Sequence, residues 1–206
     1  LIESVLASGS YVGGKSIDRF EAAISDYCDT RFAVALNSGT DALVCALHGL
    51  GIGKGDEVIT PPNSFIASTA AIVHVGATPV FVDVKPDQNL DPGLIEVSLT
   101  SRTRAIMPVH LTGRIADMSA INEIAARHNL CVIEDAAQSI GSKWNGQAAG
   151  SLGAIGCFST HPLKNLNACG DGGFITTDDE ELASKVRLFR NHGLVDRNNV
   201  EQFGMV

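Results

Sequence analysis

The sequence predicts an α/β fold: a three-layer α/β/α arrangement around a mostly parallel sheet. Apolar, strand-like runs alternate with segments of helical periodicity along most of the 206 residues. The strand candidates are continuous apolar runs, such as Val132-Ile133, which is typical of strands that are covered on both faces. The intervening helices are long enough for the right-handed crossovers that connect parallel strands.

The predicted elements follow one another in a regular order. Ile2, Val5 and Leu6 have helical spacing, so we expect a short helix over residues 1–8. A glycine-rich break follows, and then an amphipathic helix over residues 17–27. Strands are predicted at residues 32–36, 57–60, 79–82, 105–109, 130–134, 154–159 and 173–177. Further helices are predicted at residues 39–50, 65–75, 92–99, 116–128 and 180–191.

The composition is that of an ordinary globular domain, with 45% hydrophobic and 18% charged residues. A formal net charge of −8 argues against unspecific binding to nucleic acid or to an anionic membrane. No apolar run approaches the roughly 18 residues of a membrane span. The chain has no initiating methionine and stops without a closing helix. We therefore expect one domain over residues 1–206, truncated at both ends.

The five cysteines are odd in number and scattered, with no C-x-x-C pair. This pattern argues against a disulfide framework or a zinc knuckle and favours a reducing cytoplasm. We expect these cysteines to be small buried hydrophobic residues. No pair of histidines has metal-ligand spacing, and no metal site is predicted.

Asp135 and Lys164 carry the first signs of a cofactor site. Asp135 ends an apolar strand, where a carboxylate can pair with a protonated pyridine nitrogen and keep the ring electron-withdrawing. Gln138 follows close enough to contact a ring hydroxyl. Lys164 lies in a turn between two strands, beside a glycine-rich stretch that could let backbone pass close to a flat ring, and its amine can bond to an aldehyde. The competing interpretations are a loop cap for Asp135 and a surface charge for Lys164.

A phosphate site is predicted where a strand meets a helix at Asn37-Ser38-Gly39-Thr40. Ser38 can cap the helix, Gly39 lets an oxyanion approach the free N–H groups, and Thr40 adds a hydroxyl donor. A plain capped helix is the alternative. Ser159, at another strand end, can also donate to phosphate, and Phe65 can stack on a ring, although an isolated phenylalanine is more often a core residue.

A second motif suggests a different chemistry. Residues 9–16 match the nucleotide-phosphate loop G-x-x-x-x-G-K-S, and residues 132–135 could supply the associated acidic strand. Such a loop must follow a buried strand, whereas residues 1–8 have a helical pattern. This pattern argues against the nucleotide loop, and a nucleoside triphosphatase is kept only as an alternative function.

Taken together and in order, these segments resemble the DegT/DnrJ/EryC1/StrS family of sugar aminotransferases, which are fold type I enzymes that use pyridoxal 5′-phosphate. A further likeness is the glycine-bounded segment Gly9–Gly14 followed by Phe20-Glu21. The other matching segments are Asn37–Leu43, Thr60–Ala67, Pro108–Leu111, Glu134–Gln138 and Ser159–Gly173.

The resemblance implies a role for each candidate residue. Lys164 would be catalytic, bonding to the cofactor aldehyde and moving protons, and it is retained here where related dehydratases have histidine. Asp135 would face the pyridine nitrogen. The remaining cofactor contacts would come from Gly39, Thr40 and Ser159 at the phosphate, Gln138 at the ring hydroxyl and Phe65 on the ring face.

The resemblance also implies an activity and partners. The family transfers an amino group, usually from glutamate, to a keto group of a nucleotide-linked sugar, at sites in a homodimer interface. The family's smaller C-terminal domain is absent here, and Val206 stands where the family has an asparagine that reaches the neighbouring subunit's phosphate. A fold type I enzyme acting on amino acids and a non-catalytic regulatory protein remain as alternatives.

Overall fold

A seven-stranded sheet forms the centre of the computed structural model, which describes residues 2–9 and 11–201. In chain order its strands are β1 (Phe32–Leu36), β2 (Glu57–Thr60), β3 (Thr78–Phe81), β4 (Thr103–Ile106), β5 (Cys131–Asp135), β8 (Ile155–Ser159) and β9 (Gly173–Thr177). A separate hairpin, which the sequence did not predict, pairs β6 (Lys143–Trp144) with β7 (Gln147–Ala148). The spatial order of the main sheet is β1-β9-β8-β5-β4-β2-β3.

The sheet is mostly parallel, as predicted. Strands β3, β2, β4, β5 and β8 run in the same direction, while β9 is antiparallel to both β8 and β1. No full helix separates β8 from β9, so the chain returns in the opposite direction. Since β9 is antiparallel to both of its neighbours, β1 runs parallel to β8. The carboxyl end of β1 therefore lies at the same edge of the sheet as the carboxyl end of β8. That edge is where ligands bind in folds of this kind.

Helices cover both faces of the sheet, which confirms the three-layer prediction. The α-helices are α1 (Ile2–Ser8), α2 (Lys15–Cys28), α3 (Gly39–Gly49), α4 (Ile66–His74), α5 (Met118–His128) and α6 (Glu180–Arg190). Ile133 packs in one core cluster with residues of α3, α4 and α6. Its neighbour Val132 packs in the other, with residues of α2 and α5. This alternation buries both faces of β5 and explains its uninterrupted apolar sequence.

Three predicted helices differ from the structure by two residues or more, and one of them is α2, which begins at Lys15 instead of residue 17. The helix expected at residues 92–99 is instead two 3₁₀ turns, Pro92–Leu94 and Glu96–Ser98. Gly93 and the β-branched Val97 both disfavour a continuous α-helix, and the backbone there makes i→i+3 hydrogen bonds. Helix α5 begins two residues later than predicted because the Asp117 side chain caps it, accepting from the Ala120 N–H at 3.2 Å.

The nucleotide-loop alternative is wrong. Residues Ile2–Ser8, which precede the motif, form a helix with no buried residue, where a phosphate loop needs a buried strand. Gly14 then directly precedes α2. Ser10 lies outside the described residues, as do Val206 and the rest of residues 202–206.

The cysteines are all free thiols. Cys28, Cys45 and Cys157 are buried as expected, whereas Cys131 is half-buried and Cys169 is exposed. Burial raises the pKa of Cys28 and of Cys45 to about 12. In the part of the chain that the structure describes, we find no helix with the length and apolar character needed to cross a membrane.

Candidate functional site

A cavity of about 310 Å³ opens at the carboxyl edge of the sheet. It lies where β5 and β8 end and where α3 and α4 begin. The structure brings all of the candidate site residues from the sequence into the lining of this one cavity. They are Gly39, Thr40, Phe65, Asp135, Gln138, Ser159 and Lys164.

The start of α3 forms one wall of the cavity. The Ser38 hydroxyl caps the helix by accepting from the Asp41 N–H at 3.0 Å, and the first N–H groups of a helix have no partner within it. A side chain at Gly39 would place Cβ 2.6 Å from Ser159 Cβ, so only glycine lets these two backbones approach. The Ser159 hydroxyl accepts from the His161 N–H at 3.2 Å, which leaves its own proton to donate. These donors suit an anion the size of phosphate.

Asp135 lies at the base of the cavity and is only 5% exposed. Its Oδ2 accepts from the Ser68 hydroxyl at 2.6 Å, and its Oδ1 accepts from the Ala137 N–H at 3.3 Å. Burial raises the pKa of the Asp135 carboxyl, and the hydrogen bond from Ser68 is the largest of the effects that oppose this rise. The positive charge of Lys164 also lowers the pKa of Asp135. The pocket therefore combines a buried acid and an amine that interact electrostatically.

Lys164 is half-buried in a tight turn, in which its N–H donates to the His161 carbonyl at 2.8 Å. Two of the three glycines that follow lie close to other protein atoms. A Cβ at Gly173 would lie 2.3 Å from the Ser38 carbonyl oxygen, and one at Gly172 would lie 2.4 Å from Thr160 Oγ1. These two glycines let β9 and the β8–β9 loop pack closely against protein atoms, whereas a Cβ at Gly170 would meet nothing within 4 Å.

Gln138 and Phe65 both line the cavity, Gln138 from the segment after β5 and Phe65 from the residue before α4. The Thr112 N–H donates to Gln138 Oε1 at 2.7 Å, which assigns the amide oxygen and leaves the NH₂ group as a donor for a ligand oxygen. Phe65 immediately precedes α4 and is 70% exposed. It is therefore not a core residue, and its ring is available to cover a ligand.

The histidines separate into different environments. His110 is fully buried and does not line the cavity. Its Nε2 lies 3.0 Å from Glu134 Oε2, and its Nδ1 accepts from the Ala116 N–H at 3.3 Å. His161 lines the cavity, and His192 is an exposed residue with a positive φ of 57°. Among the described residues, no group of three His, Cys, Asp or Glu side chains could hold a metal ion.

Sequence reasoning missed the buried Ser68. It is the third residue of α4 and only 1% exposed, yet it bonds directly to Asp135. A signal was available: Ser68 precedes the apolar Ala71 and Ile72 by three and four residues, and helical neighbours at that spacing share a face. A serine on the buried face of a helix requires a polar partner.

A model of the DegT/DnrJ/EryC1/StrS aminotransferase family matches residues 1–205. The chain belongs to this family. The family resemblance predicted from the sequence is therefore confirmed.

Individual relatives support this membership. The chain is 50% identical over 193 residues to the dTDP-3-amino-3,4,6-trideoxy-alpha-D-glucose transaminase of Streptomyces venezuelae, covering 93% of this chain and 51% of that protein. It is 50% identical over 182 residues to the GDP-perosamine synthase of Caulobacter vibrioides, covering 88% and 49% of the two chains. The crystal structure of NtdA from Bacillus subtilis with bound cofactor PMP superimposes with a TM-score of 0.93 at 41% identity, covering 99% of this chain and 47% of that one. This chain thus spans about half the length of the curated relatives it matches.

Proposed function

We propose that the protein containing this chain is a pyridoxal 5′-phosphate-dependent aminotransferase that moves an amino group from glutamate to a keto group of a nucleotide-linked sugar. One observation carries the proposal. The buried carboxylate of Asp135 and the amine of Lys164 line the same cavity, beside the free N–H groups at the start of α3. This combination offers a partner for three groups of the cofactor: its ring nitrogen, its aldehyde and its phosphate.

The described residues fit that cofactor. A cavity of about 310 Å³ is within the size range of small-molecule sites. Gly39, Thr40 and Ser159 would hold the phosphate, and Asp135 would accept from the protonated ring nitrogen. The two remaining contacts would be Gln138, through its free NH₂ group, at the ring hydroxyl and Phe65 over the ring face.

The chemistry divides between the cofactor and the chain. When bound, pyridoxal phosphate supplies an aldehyde that carries nitrogen and a cationic ring that withdraws electrons. Asp135 keeps the proton on the ring nitrogen, because an ionised carboxylate beside it favours the charged ring. The Lys164 amine would act first as general base and then as general acid, taking a proton from the substrate carbon that bears the amino group and donating it again within the site. Gln138 orients the ring, and Phe65 limits water access to it.

The names of the relatives support a sugar as the amino acceptor. One is a transaminase of a dTDP-linked amino sugar, and another makes a GDP-linked amino sugar. These names differ in the nucleotide, so we propose a nucleotide-linked keto sugar as the substrate class. Within that function we assign residues 1–206 to the cofactor-binding large domain.

A homodimer in the cytoplasm is part of the same proposal. Two apolar side chains at the cavity, Phe65 and Leu163, are 70% and 87% exposed, and a second subunit covering them would remove this apolar surface from water. The five free cysteines support a reducing compartment.

The test uses the purified full-length protein. We expect a yellow chromophore that borohydride reduces onto Lys164, identified by peptide mass spectrometry, and a Lys164→Ala variant that is not labelled. A Lys143→Ala variant, altered in the surface hairpin β6–β7, should be labelled like the wild type. Glutamate should convert the chromophore to the pyridoxamine form, and a keto sugar nucleotide should convert it back.

The outcomes separate the alternatives. A colourless protein that acquires no label with added pyridoxal phosphate would overturn the proposal. A labelled protein whose spectrum does not respond to glutamate or to any other amino donor would favour a regulatory member of the family. A protein that completes its cycle with 2-oxo acids but with no sugar nucleotide would be an amino-acid aminotransferase.

A further inference from the structure

Two serines form a chain of hydroxyl groups that ends at Asp135. Ser68 Oγ lies 2.6 Å from Asp135 Oδ2, and Ser64 Oγ lies 2.7 Å from Ser68 Oγ. Ser68 is buried and Ser64 half-buried, next to Phe65 at the start of α4. One short segment thus contributes both an aromatic ring at the cavity and a direct donor to the buried acid.

The direction of these hydrogen bonds follows from the available protons. An ionised carboxylate can only accept, so the single Ser68 hydroxyl proton is donated to Asp135. A separation of 2.6 Å is in the range of charge-assisted O–H···O⁻ bonds, which are stronger than neutral ones. Ser68 Oγ then accepts from the Ser64 hydroxyl, and the chain runs from Ser64 through Ser68 to Asp135.

We propose that Ser68 is a positioning residue that keeps Asp135 ionised and holds its carboxylate plane fixed for the ring nitrogen of the cofactor. This inference rests on the proposed function. Ser68 binds Oδ2 and the Ala137 N–H binds Oδ1, so rotation of the carboxylate would break two hydrogen bonds. A fixed, ionised acceptor is what a protonated ring nitrogen requires.

In the described part of the chain, the other ionisable groups near Asp135 donate no hydrogen bond to its carboxylate. His110 lowers the pKa of Asp135 through its charge and by less than the Ser68 hydrogen bond does, while its Nε2 is directed toward Glu134. The Cys157 thiol is buried, and its pKa is raised well above its ordinary value, so it stays neutral. Lys164 lowers the pKa of Asp135 through its charge alone and less than the Ser68 hydrogen bond does. Among the described residues, Ser68 is the one side chain that donates a hydrogen bond to this carboxylate.

The decisive variant is Ser68→Ala in the full-length protein, compared with Ser68→Thr, which keeps the hydroxyl. The first measurement follows the Asp135 carboxyl carbon by ¹³C NMR during a pH titration of cofactor-free protein. We expect a higher titration midpoint for Ser68→Ala than for the wild type, because a donor to the ionised form is lost. Ser68→Thr should have the same titration midpoint as the wild type. Ser64→Ala should shift it in the same direction by less, because it acts through Ser68.

The second measurement follows the glutamate half-reaction of the cofactor-loaded protein. We expect its maximal rate to fall by roughly tenfold in Ser68→Ala, the scale of one hydrogen bond to a charged group, while the glutamate concentration at half-saturation changes little. Ser25→Ala is the control, since among the described residues the Ser25 hydroxyl bonds only to the Ala22 carbonyl of its own helix. Its rate and the Asp135 midpoint should match the wild type.

The proposal is overturned if Ser68→Ala is less stable to heat but leaves the Asp135 midpoint unchanged, because that result describes a purely structural serine. Ser68→Cys, with nearly the same volume and a weaker donor, provides the test if the alanine variant does not fold. It should raise the midpoint too. Failure of the wild type to bind pyridoxal phosphate would reject the proposed function instead, and the titration of cofactor-free protein would still show whether Ser68 controls Asp135.

Discussion

Glu134 and Asp135 are adjacent buried carboxylates on β5, yet they lie in two different regions of the molecule. Successive strand residues point to opposite faces. Glu134 lies in what we term the Glu134 cluster, in which it accepts from His110 and from the N–H groups of Gly150, Leu152 and Gly153. Asp135 lies in the cavity and, among the described residues, accepts only from Ser68 and Ala137.

The difference separates an acid that holds the fold from one that is available to a ligand. A carboxylate has about four acceptor positions, and the Glu134 cluster fills them with protein donors that arrange the loop after β7. The cavity leaves acceptor positions of Asp135 open beside Lys164. Two neighbouring acids of similar burial thus have different roles because of the number of donors each one meets.

The largest effect should come from Asp135→Asn. The amide is nearly isosteric and can still accept from Ser68, but it cannot support a protonated ring nitrogen. We expect the glutamate half-reaction to slow by at least about 100-fold while the protein remains folded. Stopped-flow absorbance measures the rate, and Asp26→Asn, at an exposed position of α2, is the control that should leave it unchanged.

The same variant gives a stability prediction with a definite sign. Burial raises the pKa of Asp135 above its ordinary value of 3.8, so between that value and the raised one the native state binds more protons than the unfolded state. Wild-type stability from this group is therefore present below pH 3.8 and is lost as the pH rises through the raised pKa. Chemical denaturation of cofactor-free protein at pH 7 should find Asp135→Asn as stable as the wild type or more so. A marked loss would show that the negative charge supports the fold.

Glu134→Gln should have the opposite effect from Asp135→Asn and destabilise the protein. Both carboxylate oxygens of Glu134 accept from protein donors. The NH₂ group of a glutamine would replace one of these oxygens and cannot accept, so the buried donors on that side would lose their partner. We expect a loss of about 2–3 kcal/mol in the free energy of unfolding, measured by urea denaturation. Glu181→Gln removes only an exposed pair with Lys185 on α6 and should change stability by less than about 0.5 kcal/mol. Equal effects of the two variants would contradict the structural role of Glu134.

A smaller, paired effect is expected from one glycine in each region. A Cβ at Gly39 would lie 2.6 Å from Ser159 Cβ, and one at Gly150, which has a φ of +89°, would lie 2.5 Å from Phe158 Cε2. Gly39→Ala should weaken cofactor binding by about tenfold, because the collision falls at the anion site. It should lower stability by less than Gly150→Ala does, because Gly39 does not have a positive φ. Gly150→Ala should lower stability by about 2 kcal/mol, with cofactor affinity close to the wild type's. Fluorescence titration and thermal denaturation of both variants measure the contrast, and identical profiles would remove the distinction between the regions.

Local patterns in the sequence accounted for most of the architecture. Periodicity located every strand of the main sheet, and the resemblance of separate short motifs led to the family and to seven residues that line one cavity. The predicted elements are wrong or missing where local signals in the sequence are weak. The hairpin β6–β7 is only two residues on each side, and the segment 92–99 has helical spacing but too little propensity for more than 3₁₀ turns.

The roles of the buried polar groups depended on the tertiary arrangement. The strand-end position singled out Asp135 in the sequence, but nothing there indicated the four donors that Glu134 meets. The order of residues also does not indicate that Ser68 meets a carboxylate 67 positions away. The close contacts of Gly172 with Thr160 and of Gly173 with Ser38 were not visible in the sequence for the same reason. Hydrophobic periodicity and turn preferences act over a few residues and are legible in the chain. Hydrogen bonding and burial depend on which distant segments meet, and the folding of the sheet brings those segments together.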